Sequence, residues 1–520
     1  MGGIDINKLL PLFVAVPLGV GFIMPLLNKL RRERFLDVLA ILASLFLFAL
    51  TVPLFRSGVS DAVYWAGNWK PPVLGICLVS DGLSRLMLLV VNLVAFLVVI
   101  FSSDYMRRYT SPGLYYSLFF LMMAGMNGIV LTGDFFNLYV FLEIAGIASY
   151  ALVAFGCETE ELEASFKYLV LGSLASTLVI FGVAILYGVT GTLNMAQVSQ
   201  MVAQKGLPKA GYLALGLFLA GFGLKGAMVP FHAWLPDAHP AAPAPISAML
   251  SGVLIKASGI YLLCRVAFNI FAPTLPVAHV LMALGVISMV VGAFLMVGQW
   301  DLKRLLAYSS ISHMGYVVLA VGVGAEFLAK EGPTSAVAQL AIFGGLFHLV
   351  NHAAFKSLLF LTSGAIEYAT GTRHLKELGG LSKRMPVTSF CCRVASLSIA
   401  GVPPFNGFWS KLIIIIAVVQ AGHYVLGAVT VLVSFMALVT FIKVQRYTLQ
   451  GEPSAKAAAA CEVPAGMTLP MLVLAGICIV VGVVAFLYAP FKESVLDPAR
   501  DVMVGTTEYI EKFELPEPPR

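Results

Sequence analysis

The chain has 520 residues and is 59% hydrophobic but only 12% charged, whereas an average soluble protein is about 25% charged. That composition excludes an ordinary soluble enzyme and fits an all-α polytopic membrane protein. The net charge of +6 reflects membrane topology, carried as it is by alternate loops, so a nucleic-acid partner is not implied.

A window of about 19 residues places the first apolar spans at residues 9–28, 35–55 and 76–101. Asp5 precedes span 1 and the cations Lys29, Arg31, Arg32 and Arg34 follow it. This is the reverse of a secretory signal peptide, so span 1 is expected to be retained. Further spans follow at 114–132, 134–156, 163–189, 210–235 and 245–268, then at 276–298, 304–323, 336–366, 388–419, 424–446 and 468–490. Fourteen crossings would put both ends on one side. Lys and Arg gather in alternate loops: Arg107 and Arg108; Lys303 and Arg304; Arg373, Lys376, Lys383 and Arg384; Lys443, Arg446 and Lys456. The opposite loops are sparse, with Lys205, Lys209 and Lys330 among their few cations. By the positive-inside rule the cation-rich side is cytoplasmic and both termini face out.

No soluble domain interrupts the spans. The chain divides into 1–110 (spans 1–3), 111–270 (spans 4–8), 271–450 (spans 9–13) and 451–520 (span 14 and a short polar tail). The tail ends ELPEPPR, is acidic and proline-rich, and is expected to be extended. The seven cysteines (Cys77, Cys157, Cys264, Cys391, Cys392, Cys461 and Cys478) form no CxxC pair. No iron–sulfur or zinc site assembles from that spacing, so no metal or cofactor is expected in this chain and any redox centre would sit on another.

Two spans are expected to be broken. Span 7 carries Pro230 and Pro236, span 12 carries Pro403 and Pro404, and proline inside a span frees a carbonyl that only protein or a wet cavity can satisfy. The local sequences are alike, VPFHAW (229–234) beside VPPFNGFW (402–409), with Lys225 before one break and Lys411 after the other. Proline-interrupted spans in corresponding places of opposed halves point to an inverted-repeat transporter.

Lys8, Arg56, Arg85 and Lys443 lie near enough to span ends to snorkel. Four other ionisable groups do not. Glu143 is the tenth residue of DFFNLYVFLEIAGIASYALVAFG, and Lys225, Lys256 and Lys411 lie well inside spans 7, 8 and 12. A central lysine costs about 2.5–3.5 kcal/mol on insertion scales, so the three together require about 8–10 kcal/mol of compensation. A static ion pair of Glu143 with Lys225 that only fixes packing would compensate one; too few buried carboxylates remain for Lys256 and Lys411. Burial disfavours the charged form of an ammonium, which turns such a lysine into a group that takes up and releases a proton.

Span 11 contains LFHLVNHAAFKSLLF, with His348, His352 and Lys356 at spacings of four on one helix face. Histidine changes charge near neutral pH and passes a proton between its two nitrogens. Span 10 adds His313 beside Ser309, Ser310 and Ser312. His232 and His239 fall in the connection between spans 7 and 8, where capping of the broken helix and proton entry are both open readings. Glu143, Lys225, Lys256, His313, His348, His352 and Lys411 thus form a candidate polar axis in the plane of the membrane, with His232, His239 and Lys356 as entry or support.

At these residues the chain resembles the antiporter-like, proton-translocating membrane subunits shared by respiratory complex I, membrane-bound [NiFe] hydrogenases and Mrp-type cation/proton antiporters, the D-type Mrp subunit among them. The resemblance rests on DFFNLYVFLEIAGIASYAL, LKGAMVPFHAWLPDAH, APAPISAMLSGVLIKASGIY, DLKRLLAYSSISHMGY, FHLVNHAAFKSLLF and GVPPFNGFWSK, and covers residues 75–450. It implies fourteen transmembrane helices with spans 4–8 and 9–13 as two inverted five-helix repeats, and broken helices 7 and 12. It also implies that Glu143 pairs with Lys225, that Lys256 links the halves, that the histidines bridge and that Lys411 faces the exit. Lysine at the last position departs from complex I subunits that use glutamate there. The implied setting is the plasma membrane of a prokaryote, where related antiporter-like subunits and peripheral redox subunits are the expected partners, with the lipid bilayer around them.

The expected role is a non-redox, ion-translocating subunit of an oxidoreductase complex, with partner subunits driving H⁺ along the axis. An Mrp-type Na⁺/H⁺ antiporter subunit is the first alternative, and a non-conducting membrane scaffold the second.

Overall fold

A computed structural model of the protein describes residues 6–28, 33–55, 61–69, 75–109, 111–484, 491–505 and 513. Asp5, Lys29, Arg31, Arg32, Arg56 and the ELPEPPR terminus lie outside these described residues. Among the described residues twelve helices are long and apolar enough to cross a membrane, and the chain is a helical polytopic membrane protein.

Helices α1 (Leu12–Asn28) and α2 (Glu33–Ala49) are followed by a short antiparallel hairpin, β1 (Ala62–Trp65) on β2 (Cys77–Ser80), with Ala62 opposite Ser80 and Trp65 opposite Cys77. Next come α3 (Gly82–Tyr105), α4 (Pro112–Leu131), α5 (Phe135–Val153) and α6 (Thr159–Thr190). A surface helix, α7 (Met195–Lys205), leads to α8 (Lys209–Lys225), an irregular stretch at 226–234 and the short α9 (Leu235–Ala241). The second half holds α10 (Ala244–Ile270), α11 (Leu275–Val297), α12 (Leu302–Glu331) and α13 (Ala336–Thr370). After them come α14 (Pro386–Ala400), α15 (Asn406–Gln420), α16 (Tyr424–Leu449), α17 (Ala465–Val484) and α18 (Asp497–Val504).

Short polar side chains start several of these helices, as their chemistry favours. The Asp134 carboxylate accepts from Asn137 N at 2.7 Å, that of Asp301 from Arg304 N at 2.9 Å, and Asp81 forms a reciprocal box with Ser84. α6 and α13 both stop at a glycine in the left-handed conformation, Gly191 and Gly371, where a Cβ would be disfavoured. Both stops sit in a Thr-Gly-Thr turn: Thr190 Oγ1 donates to Thr192 O at 3.1 Å, and Thr370 Oγ1 to Thr372 O at 3.0 Å. Each turn leads into a bridge to the start of an earlier helix, Asn194 to Asp134 and His374 to Asp301.

The core sits on α10, whose most apolar stretch is entirely buried, and on the flanking α12 and α13; α1 and α2 lie at the margin with large apolar side chains such as Phe22, Leu26 and Phe35 exposed. Without water competing for the apolar surface, close backbone approach holds such helices together. α11 and α12 show it plainly: a Cβ on Gly315 would lie 2.5 Å from Met289 N, and one on Gly285 2.5 Å from Leu319 N.

Three expectations change. The apolar run at 76–101 begins as a strand, because Cys77–Ser80 pairs with the hairpin partner, and the helix starts only at Gly82 behind its Asp81 cap. Arg85 does not snorkel: it is buried against Asp61 at 3.1 Å and donates to Ser80 Oγ at 3.2 Å. The tail is not simply extended, since α18 packs back with Ala499 and Met503 fully buried, and Asn269 Nδ2 donates to Val502 O at 2.7 Å.

Gly315→Ala is expected to destabilise the protein by about 1–3 kcal/mol through overpacking, seen as a lower thermal midpoint in mild detergent. An unchanged midpoint would mean that α11 and α12 can separate freely.

Candidate functional site

Both broken spans end a half-helix deep in the protein, and a helix end leaves carbonyls without intrahelical partners. At the first break, between α8 and α9, Trp234 Nε1 donates to Leu224 O at 3.0 Å, and Val229 N reaches across to Ser288 Oγ of α11 at 2.9 Å. Lys225 is the last residue of α8, a favourable place for a cation because the carbonyl end of a helix carries partial negative charge. At the second break the Lys411 ammonium lies on the C-terminal carbonyls of α14, donating to Ile399 O at 2.8 Å and Ala400 O at 3.4 Å. Both breaks contain a cis proline bond, Val229–Pro230 and Pro403–Pro404.

α10 carries Lys256 and is wound wider than an α-helix over Leu250–Leu254 and Lys256–Ile260. Such π-helical turns shift the hydrogen-bond register and release carbonyls. Lys256 Nζ takes two of them, Ser251 O at 2.7 Å and Gly252 O at 2.6 Å. Ser251 Oγ in turn pairs with Ser310 Oγ of α12 at 2.7 Å. Beside it, Lys356 of α13 donates to Leu306 O and to Ser309 Oγ.

The histidines continue the chain. His313 Nδ1 lies 3.0 Å from His348 Nε2, and His348 Nδ1 lies 2.9 Å from Ser410 Oγ, the neighbour of Lys411. Each imidazole is fully or almost fully buried. The His352 ring centre is 5.6 Å from that of His313, and among the described residues no group hydrogen-bonds either of its nitrogens. Lys411 also touches Ser434 Oγ at 3.3 Å and sits 5.6 Å from the Tyr316 ring centre.

At the other end of the axis Lys225 Nζ donates to Tyr150 Oη at 3.2 Å. Glu143 acts on Lys225 through its charge, but among the described residues no ion pair joins the two, and Glu143 Oε1 is buried without a hydrogen-bond partner. Tyr150 is held where it is by Gly172, on which a Cβ would fall 2.0 Å from the Tyr150 hydroxyl.

Charged residues on the face where α6, α9, α12 and α13 meet border a cavity of about 530 Å³, lined by Glu160, Glu163, Lys167, Asp237, Arg304 and Arg373. Asp237 is bound by Lys167 at 3.0 Å and Arg304 at 3.3 Å, and Arg373 holds Asp301 at 2.6 Å. His239 lies buried on α9 with both nitrogens unpartnered among the described residues, its ring 4.9 Å from Phe360. His232 sits half-buried in the first break with Nδ1 unpartnered among the same residues.

Residues 132–437 match the model of the NADH:quinone oxidoreductase/Mrp antiporter transmembrane family, and residues 73–120 that of the complex I chain 5 N-terminus. The chain belongs to this antiporter-type membrane-subunit family. Among its relatives, NADH-quinone oxidoreductase subunit N of Desulforudis audaxviator is 36% identical over 80% of this chain and 83% of that protein. The D-type subunit of the Na⁺/H⁺ antiporter of Alkalihalophilus pseudofirmus is 33% identical over 97% of this chain and 99% of its own length. A chain of the membrane-bound sulfane sulfur reductase, an archaeal respiratory membrane complex, superposes with a TM-score of 0.85 at 30% identity, covering 97% of this chain and 99% of that one.

In this antiporter-type subunit His313, His348 and Ser410, the neighbour of Lys411, form a buried hydrogen-bonded chain with His352 against His313; Lys256 and Lys356, the latter expected only as support, are buried on oxygens of their own. Glu143 and Lys225 stand apart from that chain, and the hydrogen bond of Lys225 goes to Tyr150. Tyr150 has no signal of its own in the sequence, since a tyrosine in an apolar helix is ordinarily a packing residue. A buried ion pair is equally silent there: Arg265 of α10 clasps Asp81 through two bonds of 2.7 and 2.9 Å.

Among the described residues, Lys256, Lys356 and Lys411 have no carboxylate as a hydrogen-bond partner. Lys356→Met is therefore expected to hold or raise the thermal midpoint, by up to about 3 kcal/mol for removing one buried ammonium. Nothing is orphaned, because Ser309 Oγ still donates to Leu306 O at 2.8 Å. A lowered midpoint would make Lys356 a structural residue.

Proposed function

We propose that the chain conducts protons across the membrane as one subunit of a multi-subunit complex. The observation that carries this reading is the side-chain sequence from His313 through His348 to Ser410, the neighbour of Lys411, with Lys256 buried on the Ser251 and Gly252 carbonyls. A neutral imidazole bonded at both nitrogens donates from one and accepts at the other. Exchanging the two roles at His348 moves a proton from the His313 side to the Ser410 side without moving a heavy atom. His352, whose nitrogens lack protein partners among the described residues, takes the position where ordered water is required to join Lys256 to the histidines.

In this scheme protons enter from the cytoplasm past the charged cavity and the His232 and His239 connection, charge Lys256 or Lys356, and leave toward Lys411. Glu143, Tyr150 and Lys225 form the gate. When Lys225 exchanges the Tyr150 hydroxyl for a direct contact with Glu143, its positive charge is compensated, and neighbouring lysines then bind protons more readily. Moving a charge against the membrane potential takes about 2.3 kcal/mol per 100 mV, and partner subunits, including peripheral redox subunits, supply it.

Counting each broken pair, α8 with α9 and α14 with α15, as one crossing gives fourteen with both termini on one side, read as the outer side from the cation-rich loops opposite. Spans 4–8 and 9–13 are read as inverted repeats within 111–270 and 271–450. The reading is supported by the paired Thr-Gly-Thr stops and their bridges to the Asp134 and Asp301 caps. A second reading, an Mrp-type subunit working without redox partners, is favoured by the nearly full-length match to the D-type antiporter subunit. Ion exchange that persists with no redox substrate present would select it.

In the assembled complex, Lys225→Ala or Lys411→Ala is expected to abolish proton transport in vesicles while leaving subunit assembly intact; wild-type transport by either variant would sink the assignment. For the topology, Cys157 and Cys461 are exposed and both fall in loops assigned to the cytoplasm. A membrane-impermeant maleimide is expected to label them in inverted vesicles and not in intact cells.

A further inference from the structure

The conduction path ends at Lys411, still deep in the protein, and leaves open how a proton reaches the outer surface. Resting on that reading, we propose that Glu326 and His423 form the release station at which protons leave the chain. Glu326 lies near the end of α12 opposite the cation-rich loops, and its side chain is only 3% exposed. His423 directly precedes α16 and meets it, Nε2 to Oε2, at 2.6 Å; Lys330 binds the other carboxylate oxygen at 2.6 Å. The imidazole is 29% and the Lys330 side chain 46% exposed, so the buried carboxylate opens to the surface through these two groups.

The way from Lys411 to this pair is marked by polar groups on one face of α16. Lys411 donates to Ser434 Oγ at 3.3 Å. The Tyr316 hydroxyl, beside Lys411, donates to Thr430 O at 2.6 Å, and Thr430 Oγ1 donates to Gly427 O at 2.6 Å. Positions 434, 430, 427 and 423 recur at spacings of four, three and four, which keeps them on one side of a helix. From Gly427 to His423 is four residues, about 6 Å of helix. Around this route Leu319, Ala320, Val323, Ala417, Val418 and Val433 pack as a separate apolar cluster. It insulates the route and leaves the hydroxyl line as its polar seam.

A purely structural clamp would need only Glu326 and Lys330, which already neutralise one another. The histidine adds a group that accepts a proton on one nitrogen and returns one from the other to outside water. The other ionisable side chains at this end do not compete for the carboxylate: Glu331 accepts from Ser335 Oγ at 2.6 Å, and His279 and Tyr424 are exposed on α11 and α16. Among the described residues, His423 and Lys330 are the charged groups that act on Glu326.

The test uses the assembled complex in vesicles, with transport followed as outer and inner pH are varied separately. Glu326→Gln and His423→Ala are expected to slow transport by about a hundredfold, the low end for a positioned proton-transfer group, and to change the dependence on outer pH alone. Imidazole added outside is expected to restore His423→Ala but not Glu326→Gln, and Glu326→Asp to retain part of the rate. If His423→Ala does not assemble, His423→Gln takes its place, with a lost rate and an altered outer-pH profile expected. Wild-type rates and profiles in these variants, or slowing with neither imidazole rescue nor a changed outer-pH profile, would overturn the proposal. Lys411→Ala serves as the control: if it too transports normally, the conduction reading fails and not the exit assignment alone.

Discussion

An ammonium group held in the apolar middle of a membrane protein without a carboxylate must find oxygen elsewhere, and that constraint shapes the centre of this chain. A regular helix offers little, because its interior carbonyls are already bonded to its own amides, and Lys356 shares one of these, Leu306 O. Lys256 obtains Ser251 O and Gly252 O from the π-helical turns of α10, and Lys411 obtains Ile399 O and Ala400 O from the end of α14. The irregular and terminal backbone thus solvates these two charges. Straightening either helix would leave a lysine bare.

The same logic explains the company these lysines keep. Ser251, Ser309, Ser310, Ser410 and Ser434 are small enough to fit between close-packed helices, and a hydroxyl both donates and accepts. They give lysines and histidines polar partners without adding charge. Where the wall must be dry, around Tyr316 and Val323, the residues become alanine, valine and leucine. Polarity in the core is therefore a narrow line, and each of its members bonds at least two helices together or waits beside one that does.

Much of this was legible in the sequence, for identifiable reasons. Hydropathy located the spans because lipid demands long apolar runs. Pro230, Pro403 and Pro404 located both breaks because proline cannot donate, and Lys225, Lys256 and Lys411 stood out because lysine in hydrocarbon has no bland explanation. What stayed hidden depends on distance or on geometry without a residue signature. The π-helical winding around Lys256 has no composition of its own. Cys77–Ser80 reads as the start of an apolar helix until its partner Ala62–Trp65 is seen beside it. Arg265 and Asp81 are separated by most of two hundred residues, and His423 looks like an ordinary loop histidine until α12 brings Glu326 to it. Lys356 looks peripheral in the sequence because its relation to Ser309 is set by helix rotation and not by spacing along α13.

α13 runs unbroken for 35 residues, about 52 Å at 1.5 Å per residue, well beyond the roughly 30 Å thickness of the hydrocarbon. It carries His348, His352 and Lys356 at fixed intervals of about 6 Å. Those three groups cannot change their separation unless the rod itself breaks. The lysines on either side, Lys225 and Lys411, sit instead at interrupted half-helices. The chain thus combines a ruler with two joints: a continuous graduated bar through the middle, and interrupted helices on its flanks.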